Sequence, residues 1–171
     1  IKPFWELEVG LIDSVVRTNI LGQMYGVKVA VSGMLKQGFG ALYIMEGKGA
    51  KGDVLPGMTL YSTTKRAGNY LFQALVKELD DSGVLVGSIS PGMVVTDLLT
   101  IQKEANPEDW EQTKRIFNIL ADRVETVVPW IADRILGNQE HGAQIRWLTR
   151  TKVIWRFISA AWTKRDLFEE A

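Results

Sequence analysis

Tyr61 and Lys65 stand four apart in the stretch Thr59-Leu60-Tyr61-Ser62-Thr63-Thr64-Lys65. On a helix that spacing puts both side chains on one face, one turn from each other. An ammonium held beside a phenol favours the phenolate by opposite charge, lowering a pKa that is about 10 when unperturbed. A tyrosine so placed can hand a proton to a carbonyl oxygen, or take one from an alcohol, near neutral pH. Tyr-x-x-x-Lys is also common on exposed helix surfaces, so its meaning rests on what surrounds it.

Composition narrows the chemistry. The chain has no cysteine and a single histidine, His141. Disulfides, thiolate zinc sites and cysteine nucleophiles are excluded, and neither a metal site nor a Ser-His-Asp triad is expected. Twenty basic residues balance twenty acidic ones, so the charge gives no reason to expect a nucleic-acid partner. A hydrophobic content of 46% over 171 residues can build a core, and a single domain over 1–171 is expected. No apolar run is long enough to span a bilayer. The opening Ile1-Lys2-Pro3-Phe4 does not look like a natural start, so targeting information is expected to be missing rather than absent. The compartment stays open: cytoplasm for a bacterial source, chloroplast for a plant one.

The elements that must position Tyr61 and Lys65 can be read from periodicity. Leu7, Leu11 and Val15, with Ile12 and Val16, then Val27, Val31 and Met34-Leu35, predict one long helix over 7–37. Gly22 and Gly26 inside it cost roughly 1 kcal/mol each against alanine and are expected to permit close packing. Ala41 to Met45 reads as a short buried strand, followed by a glycine-rich loop over 46–58. That loop holds Gly47-Lys48-Gly49-Ala50-Lys51-Gly52, a formal match to G-x-G-x-x-G. A dinucleotide fingerprint needs a helix opening within it, whereas Asp53 and Pro56-Gly57 follow here. A substrate-side, lid-like loop is expected instead. A helix then runs from Thr59, as N-cap, to about Leu79, with Leu71, Leu75, Leu79, Ala67 and Ala74 on its apolar face. Val84 to Ser90 is a second buried strand ending in Pro91-Gly92. Strand, helix, strand in this rhythm predicts a parallel α/β sheet.

Farther along, helices are predicted over 107–120 and 123–136, the second interrupted by Pro129, with a third strand over 144–148. A terminal helix over 150–168 carries Trp155, Phe157, Ile158 and Trp162 among Arg150, Lys152, Arg156, Lys164 and Arg165. Such a basic, aromatic amphipathic helix can lie on an anionic membrane surface. Docking on its own domain or on a second subunit is the preferred reading.

Asn19 in the first helix, the glycine-rich loop, Tyr61 and Lys65 opening the second helix, and Pro91-Gly92-Met93-Val94-Val95-Thr96 after the next strand stand in one order. In that order they resemble the short-chain dehydrogenase/reductases across almost the whole chain. The resemblance implies an α/β fold: the C-terminal part of a Rossmann-like doubly wound parallel sheet, whose N-terminal nucleotide-binding strands would precede Ile1. It also implies roles. Tyr61 matches the catalytic acid/base, Lys65 the lysine that lowers its pKa and holds the nicotinamide ribose, and Asn19 the helix-kinking asparagine that positions a water in the proton relay. Together with Tyr61 and Lys65, Pro91, Gly92, Val94 and Thr96 match residues at the nicotinamide end of the cofactor. That cofactor is taken as NADP(H), with NAD(H) open because the selecting residues lie before Ile1. Helices over 7–37 and 61–79 match those that pack between subunits, so a homo-oligomer is expected.

One departure stands out. The family's serine, which binds the substrate oxygen, falls at Glu46 or Gly47, or at Lys48 if counted back from Tyr61, and none carries a hydroxyl. An oxyanion donor is commonly worth ~3 kcal/mol. Glu46-Gly47 in that place, Ser90 to Leu99, and Phe117 to Asp122 followed by Glu125 to Pro129 narrow the resemblance to the chlorophyll b reductases. Those enzymes use NADPH to reduce a formyl group to hydroxymethyl. A carbonyl reductase acting on a small-molecule carbonyl or a pigment is therefore expected, with Tyr61 as proton donor. The alternatives are a reductase of another aldehyde or ketone, or a non-catalytic member serving in assembly.

Overall fold

The computed structural model describes residues 2–96 and 107–168. The chain divides into two compact units, Ile1–Ser90 with Asn138–Ile145, and Pro91–Gly137 with Arg146–Ala171. The helices in chain order are α1 Val9–Val16, α2 Gln23–Gln37, α3 Thr59–Glu78, α4 Pro107–Leu120, α5 Val124–Leu136 and α6 Arg150–Ser159. The strands are β1 Gly40–Met45, β2 Val84–Ser90, β3 Val94–Val95, β4 Asp122–Arg123 and β5 Gln144–Arg146.

In the first unit β1, β2 and β5 form a sheet in that order, β1 and β2 running parallel with Gly40 opposite Val84 and Met45 opposite Ile89. β2 is the central strand, which is why it reads as an almost unbroken apolar run: Val84 and Val86 are fully buried. α3 crosses over between β1 and β2 as the strand, helix, strand rhythm predicts. Val27 of α2, Ile44 of β1, Phe72, Leu75 and Leu79 from the α3 segment, and Val84 and Val86 of β2 make the core. His141 clasps this arrangement, its Nδ1 facing the Val84 carbonyl at 3.1 Å and its Nε2 the Val76 carbonyl at 2.8 Å. Held between two backbone oxygens, it is a packing residue.

Several local expectations shift. The helix expected over 7–37 begins only at Val9, with Leu7 and Glu8 extended, and it is not uniform, because a π turn over Arg17–Gly22 separates α1 from α2. Gly26 has open space around its α-carbon, and Gly22 meets only the Arg17 carbonyl of its own turn, so neither permits close packing. The close approach is at Gly68 of α3, where a β-carbon would run into the Gln23 side-chain amide. This rotates the buried stripe of α3 onto Thr64, Gly68, Phe72 and Leu75, leaving Ala67, Leu71 and Ala74 half-buried. Thr59 is the first helical residue; Met58 holds the cap position.

In the second unit β3 and β4 form a short parallel pair, Val94 opposite Asp122 and Val95 opposite Arg123, that periodicity did not predict. Two residues are too short for alternation to register. α5 runs unbroken through Pro129, so the interruption expected there does not occur. The proline forfeits one backbone hydrogen bond, and the helix on either side carries on. α6 ends at Ser159, well short of residue 168, in turns closed by Trp162 N–H to the Ser159 carbonyl at 2.9 Å.

Candidate active site

The chemistry-bearing residues of the first unit converge at the start of α3. Tyr61 lies in its first turn and Lys65 one turn on, with the Lys65 ammonium 5.6 Å from the centre of the Tyr61 ring. The expected shared face is therefore present. Burial pushes the Tyr61 phenol up and the Lys65 ammonium down. That differs from the lowered phenol expected from sequence, because both groups lose water and the ammonium stands above the ring instead of bonded to the hydroxyl. Among the described residues Lys65 makes no ion pair or hydrogen bond.

Asn19 sits inside the π turn, half-buried, and its amide donates to the Thr64 hydroxyl at 3.1 Å. Thr64 in turn donates to the Tyr61 backbone carbonyl at 2.7 Å. π turns recur at functional sites because the widened turn re-aims a side chain. Here the chain from Asn19 through Thr64 to Tyr61 fixes the first turn of α3 to the preceding helix. Sequence reasoning missed Thr64; its signal was a small hydroxyl three residues after Tyr61, on the inward side of an otherwise apolar stripe.

At the end of β1, Gly47 faces this turn. A β-carbon on Gly47 would collide with the Tyr61 hydroxyl and come within 3.1 Å of the Lys65 side-chain methylenes. Of the three positions considered for the family's serine, Gly47 thus faces Tyr61 directly, and the tyrosine occupies the space a side chain would need. Glu46, expected on the substrate side, is 6% exposed and turned inward, where Oε1 accepts from the Asn69 amide at 3.0 Å. Asn69 is itself fixed by Gln73 at 2.6 Å. Glu46 therefore packs β1 against α3. Alternation explains it: in an extended chain neighbouring residues face opposite ways, so only one of Glu46 and Gly47 can look toward Tyr61.

The loop that follows is not free over its first half. Ala50 is 2% exposed, its carbonyl accepts from Arg66 at 3.1 Å, and Lys51 reaches Gln144 at 2.9 Å. No helix opens within Gly47 to Gly52, which instead forms turns, with Gly49 and Gly52 in the left-handed region. Gly49 closes over Ser62, whose buried hydroxyl has no partner among the described residues. Only around Val54, 90% exposed, does the loop stand clear as a lid-like segment would.

Pro91, Gly92, Val94 and Thr96 belong to the second unit. Gly92 has φ 75°, and a β-carbon there would meet Leu148, so the turn requires glycine. Val94 is half-buried in β3 and Thr96 exposed after it. Asp97, Leu98 and Leu99 of the same motif lie outside the described residues. Among the described residues no group of acidic or histidine side chains could hold a metal ion, and no helix is long and apolar enough to cross a membrane.

The chain is similar to known proteins. The family model described as short chain dehydrogenase matches residues 1–108. Chlorophyll(ide) b reductase NOL, chloroplastic, of Arabidopsis thaliana is 32% identical over 166 residues, covering 92% of this chain and 46% of the relative. Probable chlorophyll(ide) b reductase NYC1, chloroplastic, of Oryza sativa subsp. japonica is 32% identical over 156 residues, covering 90% of this chain and 29% of the relative. The chain thus spans less than half the length of these curated relatives. Among solved structures, ElxO with NADP bound superposes with a TM-score of 0.71 at 21% identity, over 85% of this chain and 60% of that one, which shows the shared fold. On the extent of the family match and of the identity to full-length relatives, the chain belongs to the short-chain dehydrogenase/reductase family.

Proposed function

We propose that this chain carries the proton-transfer centre of an NADP(H)-dependent carbonyl reductase, whose substrate is the formyl group of a chlorophyll(ide) b-type pigment, reduced to hydroxymethyl. The observation that carries the proposal is the Tyr61 hydroxyl seated against Gly47, with Lys65 beside it and Asn19 tied through Thr64 to the same turn. The names of the NOL and NYC1 relatives support the pigment, and the NADP in ElxO supports the cofactor. The relatives' chloroplastic designation favours the chloroplast among the compartments considered.

The residues fit such a cofactor. Lys65 is a half-buried cation with no partner among the described residues, suited to the hydroxyls of a ribose. Pro91, Gly92, Val94 and Thr96 are assigned to the same cofactor by resemblance. Such a cofactor, when bound, would supply the hydride for the carbonyl carbon. Tyr61, whose phenol is protonated near neutral pH, donates its proton to the carbonyl oxygen as negative charge develops there. Lys65 keeps a positive charge beside the phenol as it gives up the proton. Asn19 holds the turn in register and is placed to order a relay water.

A full-length protein incubated with NADPH and chlorophyllide b should change the pigment's absorption spectrum. Tyr61→Phe, which removes the proton donor and little volume, should slow this by a factor on the order of 10²–10⁴ while leaving the circular dichroism unchanged. Turnover at the wild-type rate in that variant would remove Tyr61 from the mechanism. Turnover of other aldehydes or ketones but not of the pigment would keep the reductase and change its substrate. The second reading, a non-catalytic member serving in assembly, draws on Gly47 in place of a hydroxyl donor, and failure to bind NADPH would favour it.

A further inference from the structure

α6 is built inside out. Two of its three charged residues, Lys152 and Arg156, point inward: Arg156 grips both carboxylate oxygens of buried Asp122 at 2.9 and 2.7 Å and the Leu120 carbonyl at 2.7 Å. Lys152 lies 3.3 Å above the Trp147 ring and 3.9 Å from the same carboxylate. Just past the helix, Arg165 reaches Asp122 and the Ala121 carbonyl, each at 2.9 Å. With these cations committed to the interior, the apolar side of the helix is turned out. Ile154 is 60% exposed, Trp155 68%, Phe157 52%, Ile158 50% and Trp162 80%.

The spacing makes one surface of them. Ile158 lies three residues after Trp155 and four after Ile154, so it shares a face with both, and Trp162, four residues farther on, continues it on the closing turn. Monomeric proteins rarely leave a large contiguous apolar patch in water, and two exposed tryptophans beside three other exposed large apolar side chains on one short segment call for a neighbour. The exposed charges of this segment are basic, although Glu111 of α4 lines the same hollow as Lys164. No Asp or Glu occurs over 141–165, and Arg150 and Lys164, both exposed, make no ion pair among the described residues. The nearest acid along the chain, Asp166, is paired with Lys114 at 3.2 Å.

We infer that this face seats α6 on an anionic lipid bilayer, the tryptophans at headgroup depth and Arg150 and Lys164 on lipid phosphates. Tryptophan suits that depth because its ring is apolar and its N–H needs a polar partner. Charge sets lipid above a second copy of the chain. Two such faces meeting about a two-fold axis bring the same basic residues together, whereas an anionic surface complements them. The inference is independent of the substrate proposed above.

The test uses the full-length protein with vesicles of phosphatidylcholine, with or without phosphatidylglycerol, read by co-sedimentation and by tryptophan fluorescence. Binding to the anionic vesicles, a blue shift, and weakening by salt are expected. Trp155→Ala with Trp162→Ala should abolish binding with the circular dichroism unchanged, since both rings are exposed. Neutralising Arg150 or Lys164 to Gln should weaken binding about fivefold each. No binding to either vesicle, or undiminished binding by the tryptophan variant, would overturn the inference. So would a dimer that the tryptophan variant dissolves in a protein that ignores lipid.

Discussion

Gly47 decides how Tyr61 is held. A residue without a β-carbon at the end of β1 lets the phenol approach the strand, and Lys65 packs its methylenes into the same gap. Gly47→Ala is expected to leave the fold intact, because the clashing atoms are the ends of side chains that can move aside. The Tyr61 hydroxyl must then shift, and a displacement of about 1 Å at a reacting group costs on the order of 100-fold in rate. Steady-state kinetics beside thermal melting checks this: unchanged melting with a large fall in turnover is the expected pair. An alanine variant with unaltered turnover would show that the close approach has no bearing on chemistry. Glu46, by contrast, is held by Asn69 in the interior and acts on the packing of β1 against α3.

The connection from α4 through β4 to α5 depends on Asp122, the buried carboxylate on which Arg156, Arg165 and the Trp147 indole converge. Burial alone pushes its carboxyl up. The hydrogen bonds from Trp147 and Arg156, with the charges of Arg156 and Lys152, outweigh that and hold it below the ordinary carboxylate range. A carboxyl depressed in the folded state adds stability that is complete above its unfolded pKa of about 3.9 and is lost as pH falls through the lower folded value. Asp122→Asn leaves the arginines without their counter-charge and is expected to cost about 3–5 kcal/mol at neutral pH. Urea titrations followed by tryptophan fluorescence should show that gap closing as the pH drops below about 4. A gap independent of pH would assign the loss to packing alone.

At the scale of the whole molecule, two groups among the exposed apolar residues ask for different neighbours. Besides α6, the outer side of the first helix and of α3 leaves Val9 79%, Tyr25 64%, Val29 74% and Tyr70 74% exposed. These lie on the helices that the family resemblance places between subunits, and we propose that they meet their counterparts in a homo-oligomer. Val29→Asp with Tyr70→Glu should then shift sedimentation of the full-length protein toward monomer without lowering its helix content. An unchanged sedimentation profile would remove this face from the interface.

The sequence by itself determined what depends on neighbours in the chain. Tyr61 and Lys65 share a face because residues four apart on any helix do, and α3, β1 and β2 follow from local periodicity and from the turns that bound them. The order of Asn19, Tyr61, Lys65 and Pro91-Gly92 placed the family, since order survives without coordinates. Tertiary structure decided everything that turns on distant residues. Only packing shows that Gly47, and not Glu46 or Lys48, faces the tyrosine, and that Asn19 reaches it through Thr64. Likewise, the pattern of α6 shows two faces but not which is inside. A single buried carboxylate, Asp122, drew the cations inward and left the tryptophans out, because an unpaired charge away from water costs more than exposed apolar surface.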